Sequence, residues 1–429
     1  MKACIITIGN EILTGRIINT NVRHMSAGLY RAGFSVAMHY DVADDQSQII
    51  RYLDQAFREA SIVMVCGGLG PTTDDITRES VAAWLGSPLV FSSELYAPLE
   101  ERYRKLNRQV PESNRKQAMI PESCRALPNS VGMAYGIWWE DKSRCLAVMP
   151  GVPRELEAMF DQAVLPRLAE KYRLEPERNL LIRTIRIPES MLMEQIQPVM
   201  DQYGIDPDRI GFYPSFSGVD ILYHDTRLDS GFCDAIRRLF KSNIYSDRSE
   251  SLMEVVQRRM IEKGSRLAVA ESCTGGLVGK LITDIPGSSR YFWGGMIAYH
   301  NRVKIQCLGV SPETLKSFGA VSRETAGEML KGLLKLDLSD YGIAITGHAG
   351  PIQSSSAVDM RDGIDSPSGN SGDDQPEPER VPVGKVWIAC GNQTRSIIRD
   401  YQMIGTREAI RHRTAYTAFF QLVELLDQS

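Results

Sequence analysis

Two short runs hold the residue types that chemistry requires. The first is Gly67-Gly68-Leu69-Gly70-Pro71-Thr72-Thr73-Asp74-Asp75, which follows the apolar run Ser61 to Cys66 and precedes an amphipathic stretch beginning at Thr77. Glycines let backbone approach an oxygen-rich ligand, and a helix N-terminus favours an anion. The lysine and hydroxyl residue that complete an ATPase phosphate loop are absent. Acidic residues stand at two comparable places, Glu11 after the first apolar run and Asp44-Asp45 after the second. Carboxylates beside a phosphate site suit a Mg²⁺-type ion, which polarises a diphosphate and activates water. A tight turn with solvated capping aspartates is the plainer alternative. Asp44 and Asp75 both standing at strand ends favours function over it.

The second run is Glu271-Ser272-Cys273-Thr274-Gly275-Gly276, at a predicted strand-to-helix junction. A serine there can expose its hydroxyl while nearby backbone N–H groups stabilise an oxyanion. The serine needs a base, and among the histidines only His300 stands near a strand-end motif. The stretch GGMIAYHNRVK, read as a strand, offers Tyr299 and Lys304 instead. Desolvation can make a partly buried lysine neutral near pH 7, and Ser–Lys pairing is a recognised nucleophile arrangement. Each residue also has an ordinary role open to it. Ser272 could be a helix cap, Cys273 a packed thiol or rival nucleophile, Tyr299 a core aromatic and Lys304 a surface charge.

The elements that must position these runs follow from hydrophobic periodicity. Apolar runs at Ala3 to Ile8, Phe34 to Tyr40 and Ser61 to Cys66 alternate with helical patterns at Asn21 to Ala32, Gln46 to Ala60 and Thr77 to Leu85. This alternation predicts an α/β fold with a parallel, doubly wound sheet, whose turns converge at the carboxyl ends of the strands. The organisation expected is an α/β domain over 1–172, a small α+β domain over 173–250 and a second α/β domain over 251–429. Within the last, 353–380 is rich in Ser, Asp, Gly and Pro and reads as a mobile loop insertion.

The chain has 429 residues, too many for one ordinary domain. Its 49 basic and 53 acidic residues leave a net charge of -4, against a dedicated nucleic-acid binder. No apolar run is long enough to span a membrane, and the N-terminus reads as a strand and not a signal peptide. The eight cysteines form no CxxC pair, which is the usage of reduced thiols in a cytoplasmic protein. Neither they nor the dispersed histidines have zinc-ligand spacing.

GGLGPTTDDIT, IGNEILTGRIINTN, NRKQAMIP and VMPGVPRELEAMF are similar to the MoaB/MogA-like molybdopterin-binding fold. More narrowly, they resemble the N-terminal domain of the CinA family. The resemblance implies ADP-ribose pyrophosphatase activity with a divalent metal of the Mg²⁺, Mn²⁺ or Co²⁺ type. It assigns Asp75 and Asp44 the catalytic or metal role, with Glu11 a further candidate ligand, and gives Gly67, Gly68 and Gly70 the phosphate loop. GFYPSFSGVDI looks like the family's KH-like middle module. No GXXG loop is visible, so a spacer or dimerisation role is expected and RNA binding is not.

ESCTGG, ITDIPGSS, YHNRVKIQCLGV, GAVS, ITGHAGP and VPVGKVW are similar to the C-terminal CinA domain, shared with nicotinamide-nucleotide amidases. That implies hydrolysis of nicotinamide mononucleotide (NMN) to nicotinate mononucleotide and ammonia. Ser272 takes the nucleophile role, and Tyr299 and Lys304 the activating role. Thr274, Gly275, Gly276, Thr346 and Gly347 match substrate loops. Arg407 and Arg411 match a motif whose arginines could hold the nucleotide phosphate. His348 stands where the family usually has isoleucine. The expectation is a bifunctional hydrolase of pyridine-nucleotide salvage, homodimeric, acting on small nucleotides. The alternatives are a pterin- or nucleotide-binding module without turnover and a competence-related scaffold.

Overall fold

In the first strand, β1 (Lys2–Ile8), every residue but Lys2 is buried. Only a strand covered on both faces tolerates that pattern. The computed structural model describes residues 1–173, 179–224, 229–350 and 381–428. The segment read as a mobile loop, 353–380, lies outside the described residues. The chain divides into two compact units, Met1–Glu177 and Arg178–Ser429.

In the first unit, β1 is followed by α1 (Thr20–Arg31), β2 (Ser35–Val42), α2 (Gln46–Glu59), β3 (Ile62–Cys66) and α3 (Thr77–Leu85). Helix α2 buries Ile49, Leu53 and Ala56, one stripe at helical spacing, and is capped by Asp45, whose side chain accepts the Gln48 amide at 2.9 Å. Three later strands, β4 (Arg125–Leu127), β5 (Gly136–Glu140) and β6 (Cys145–Met149), complete a sheet of order β2-β1-β3-β6-β5-β4. Its first four strands are parallel, as the alternation predicts, but β5 pairs antiparallel with β6, and β4 pairs antiparallel with β5. The β5–β6 turn is too short for a crossover, and Asp141 closes it by accepting the Ser143 and Arg144 amides. Because β1, β2 and β3 are parallel and adjacent, the turns after Ile8, Val42 and Cys66 leave the sheet at one edge.

The second unit begins with β7 (Asn179–Thr184), α4 (Glu189–Tyr203), β8 (Ile210–Ser215), β9 (Gly218–His224), α5 (Ser230–Leu239) and β10 (Ile244–Ser246). These strands form an antiparallel sheet of order β8-β9-β7-β10. The chain continues through α6 (Leu252–Glu262), β11 (Leu267–Glu271), α7 (Leu277–Thr283), β12 (Phe292–Ile297), α8 (Asn301–Leu308), α9 (Arg323–Lys335), β13 (Tyr341–Gly347), β14 (Lys385–Gly391), β15 (Ser396–Gln402) and α10 (Arg407–Asp427). The second sheet has order β12-β11-β13-β14-β15, parallel over its first three strands. Arg186 ties the smaller sheet to α10: it donates to Glu424 at 2.7 Å and to the Tyr401 hydroxyl at 3.2 Å, and lies over the Phe420 ring at 4.5 Å.

One sequence expectation is corrected here. The strand read over Gly295 to Tyr299 in the run GGMIAYHNRVK ends at Ile297, and Lys304 at the end of that run lies on α8. His300 makes the break: its ring nitrogen accepts the Arg302 amide at 3.2 Å and caps the new helix. Among the described residues no helix is long and apolar enough to cross a membrane, and all eight cysteines are unpaired.

Gly67 fixes the corner of the first unit. Its φ is +108°, and a Cβ there would lie 2.1 Å from the Ile8 carbonyl oxygen. Gly67→Ala is expected to destabilise this unit by roughly 2–3 kcal/mol. Chemical denaturation of the full chain, followed by a probe in residues 1–173, checks it.

Candidate active sites

The glycine corner opens on a cavity of about 550 Å³. Gly67, Gly68, Gly70, Glu11, Asp44 and Asp75 all line it, so the fold gathers every site residue anticipated for this unit. Gly67 donates its amide to Met149, but the Gly68, Leu69 and Gly70 amides go to no other group among the described residues. Successive unpaired amides around a glycine in the left-handed region (Gly68 φ +65°) make a concave anion cradle. A Cβ at Gly70 would lie 2.4 Å from Asp75 Oδ2, so a side chain there would displace that carboxylate. That oxygen accepts the Thr72 amide at 2.9 Å and the Thr72 hydroxyl at 2.5 Å, which closes the loop on itself.

Asp44 and Asp45 divide two tasks. Asp45 caps α2, whereas Asp44 faces the cavity and accepts the Asn10 amide at 3.0 Å. Partial burial raises the Asp44 carboxyl above its ordinary range, and the nearby charges of Glu11, Asp74 and Asp75 add to this, while the Asn10 amide opposes it. Among the described residues no three acidic, His or Cys side chains are gathered as a ready metal-binding group. Glu11, Asp44 and Asp75 line the same cavity, and they are the residues that could contribute oxygen ligands if a Mg²⁺-type ion were held there together with a ligand's phosphates.

Sequence reasoning missed two supporting residues of this corner. Arg78 is 1% exposed and donates to the Leu69 carbonyl at 3.3 Å, with Nη1 buried and unpaired. It puts a buried positive charge beneath the cradle. Lys116 donates to the carbonyls of Thr72 and Asp75 and holds the acidic half of the loop in place. The NRKQ run contains Lys116, but its partners lie 44 and 41 residues away in sequence.

In the second unit, a smaller cavity of about 170 Å³ is lined by Ser272, Lys304, Tyr299, Thr346, Gly347 and Arg407, together with Cys273, Asn301 and His348. The Lys304 side chain is sealed, 1% exposed. Its amine lies 2.8 Å from the Ala298 carbonyl, 3.1 Å from the Tyr299 carbonyl and 3.2 Å from Ser272 Oγ. Burial pulls its pKa down to about 8. Burial moves the neighbouring Cys273 thiol the other way, up to about 12, which removes it as a rival nucleophile at neutral pH. The Tyr299 hydroxyl takes a hydrogen bond from Arg407 at 3.1 Å, so Tyr299 touches the lysine through its backbone and not its phenol.

Several expected contacts fall elsewhere. Thr274, Gly275 and Gly276 do not line this cavity, and Thr274 is fully buried. Arg411 is turned to the Thr274 carbonyl, with Nη2 at 2.7 Å and Nε at 3.2 Å, so it braces the turn and does not face the cavity. The anion-binding potential of the α7 N-terminus is satisfied internally. Glu271, 2% exposed, accepts the amides of Gly276, Val278 and Gly279 at 2.9, 3.1 and 2.9 Å. Ser272 is therefore not the helix cap. Of the turn's amides, those of Cys273 and Thr274 go to no other residue among those described, and of the two residues Cys273 lines the cavity.

Fold and sites together define a two-unit α/β protein, one unit of molybdopterin-binding type with an oxyanion cradle, the other carrying a buried Ser–Lys pair. Residues 4–170 match the family described as a probable molybdopterin binding domain, and residues 249–360 and 363–426 match the CinA C-terminal domain. A chain of Acetivibrio thermocellus, whose name refers to competence-damage induction, is 36% identical over 429 residues, 98% of this chain and 97% of that one. A CinA-like protein of Solibacter usitatus is 35% identical over 421 residues, 96% of this chain and 95% of its own. The crystal structure of the protein CinA, of unknown function, from Thermoplasma acidophilum is 33% identical, with a TM-score of 0.36, covering 40% of this chain and 98% of that one. The chain belongs to the CinA family.

The depressed lysine pKa has a stability consequence with a definite sign. Between about 8 and the ordinary 10.5, the unfolded chain holds a proton on Lys304 that the folded chain has lost. Folded stability therefore gains as pH rises through that window, and the penalty is fully present below it. Lys304→Met is expected to lose this gain. Urea unfolding of both proteins from pH 7.5 to 10.5 measures the difference in slope.

Proposed function

We propose that the second unit is a nicotinamide-nucleotide amidase working by Ser–Lys acyl transfer. The arrangement around the Lys304 amine carries this reading. A neutral amine has two hydrogens, and the carbonyls of Ala298 and Tyr299 accept both. Its lone pair is then left for the third neighbour, the hydroxyl of Ser272. Lys304 takes the Ser272 proton as Oγ attacks the carboxamide carbon, and the amide of Cys273, which lines the cavity, receives the developing oxyanion. The C–N bond breaks as Lys304 returns the proton to the departing nitrogen, releasing ammonia. Water then attacks the acyl-enzyme, its proton passing through Lys304 back to Ser272, and nicotinate mononucleotide leaves. The cavity of about 170 Å³ is of a size for a small planar group, and Arg407, which lines it, is proposed to meet the phosphate.

For the first unit we propose ADP-ribose pyrophosphatase activity, yielding AMP and ribose 5-phosphate. The free amides of Gly68, Leu69 and Gly70 support a diphosphate-binding role. Asp44 and Asp75, with Glu11 nearby, would hold the divalent ion. When bound, that ion neutralises diphosphate charge and lowers the pKa of a water. The four-stranded β7–β10 module is proposed as the KH-like spacer, supported by the sequence run GFYPSFSGVDI. A cytoplasmic setting is in keeping with eight unpaired thiols.

Ser272→Ala is expected to lower ammonia release from NMN by roughly a thousandfold or more while leaving ADP-ribose cleavage untouched. Surviving ammonia release removes Ser272 as the nucleophile. In the wild type, the rate of ammonia release should climb with pH and level off above about 8, the value for Lys304. An acid limb displaced well away from that pH would point to a different base.

In the first unit, AMP release should rise with added Mg²⁺ or Mn²⁺ and stop with EDTA. Asp75→Asn should lower it roughly 100-fold or more. Full metal-dependent cleavage by that variant would count against the assignment.

A further inference from the structure

Gln117 is 4% exposed and lines the cavity of the first unit. It lies on the 3-10 segment Glu112–Ala118, the same turn that carries Lys116 to the loop carbonyls. Asn114, 5% exposed, donates its Nδ2 to Gln117 Oε1 at 3.1 Å. That bond sets the direction of the Gln117 carboxamide, with its oxygen turned back into the protein. Nε2 donates to no group among the described residues, yet it is not among the sealed polar atoms lacking a partner. Gln117 lines the cavity, so that opening is available to Nε2. The acidic lining favours the same orientation, since the negative end of the amide dipole is better turned away from a cavity that Glu11, Asp44, Asp74 and Asp75 also line.

We propose that Gln117 is a ligand-binding residue whose amide hydrogens bind a phosphate oxygen of a diphosphate ligand, across from the Gly68–Gly70 amides. The inference rests on the reading of this unit as a diphosphate site and adds to it the residue that reads the ligand's oxygens. A neutral donor suits this place. A lysine or arginine there would compete with the cation that the neighbouring carboxylates attract, whereas a carboxamide offers hydrogens without adding charge. Gln117 is therefore expected to contribute to affinity for diphosphate oxygens and little to the bond-breaking step.

The test is calorimetric titration of the full-length chain in Mg²⁺ buffer with two probes, ADP-ribose and inorganic pyrophosphate. Gln117→Met, which keeps the length and removes the donor, should weaken both by roughly 10-fold or more. Gln117→Glu should weaken both further, because it puts another carboxylate beside the phosphate. In ADP-ribose turnover the loss should fall on KM, with kcat within about threefold of wild type. Wild-type affinity in Gln117→Met overturns the proposal. So does tight binding by Gln117→Glu, which would mean that the wild-type side chain presents its oxygen to the cavity. If wild type binds pyrophosphate but not ADP-ribose, the ADP-ribose reading falls while the two variants still decide Gln117 on pyrophosphate. If it binds neither, both fall. Thermal melts of the variants separate lost binding from lost folding, and Asn114→Ala provides a second route. By releasing the carboxamide from its set orientation it should weaken both probes in the same direction, and unchanged affinity there also overturns the proposal.

Discussion

Parallel neighbouring strands send their following turns to the same edge of a sheet, and both candidate sites depend on that constraint. In the first unit, β1, β2 and β3 deliver Glu11, Asp44 and the Gly67–Asp75 loop to one cavity. In the second, β11, β12 and β13 deliver Ser272, Tyr299 and the Thr346-Gly347 pair to another. The antiparallel strands, β5 and β4 in one sheet and β14 and β15 in the other, extend the sheets to one side. Ligands in open α/β sheets bind beyond the carboxyl ends of the strands for the same geometric reason.

The two corners share a strand-to-helix design but differ in where their backbone amides go. At Gly68 to Gly70 the amides have no internal acceptor among the described residues, and the buried Arg78 is hydrogen-bonded to the Leu69 carbonyl between them. At Gly276 to Gly279 the carboxylate of Glu271 already occupies the helix N-terminus. That corner offers an anion little and instead holds a rigid serine. A carboxylate buried against three amides is well satisfied, so the turn carrying Ser272 is firmly fixed. Similar local architecture thus leaves backbone amides open in one unit and closes them on a carboxylate in the other.

The Ser272–Lys304 pair combines an electrostatic cost with a chemical use. A buried ammonium with no carboxylate partner is unfavourable, and the protein relieves it by letting the proton go at about pH 8. The two carbonyls that accept from the amine then fix the direction of its lone pair. The desolvation that weakens the folded state below that pH is the same desolvation that suits Lys304 to the base role proposed for it.

The alternation of buried strands and amphipathic helices was legible in the sequence, because a strand buried on both faces and a helix buried on one leave different local periodicities. The glycine loop, its acidic flank and the serine turn were legible too, since each is a contiguous run whose composition reports its backbone geometry. The antiparallel edge strands β4 and β5 were not, because strand direction depends on which neighbour a short segment pairs with. Nor was the helical placement of Lys304, which a single capping histidine decided against an apolar run that reads as strand. Glu271, Arg78, Lys116 and Gln117 lay within or beside recognised motifs, yet their roles rest on burial and on partners set by the tertiary contacts. Arg411 shows the reverse, a residue marked for a ligand that packing turned to a backbone carbonyl. Residue type and local spacing determined which groups were available for chemistry. Only the tertiary structure decided which of them were desolvated, which were already hydrogen-bonded and which still faced an open cavity, because each of those properties depends on atoms far away in the chain.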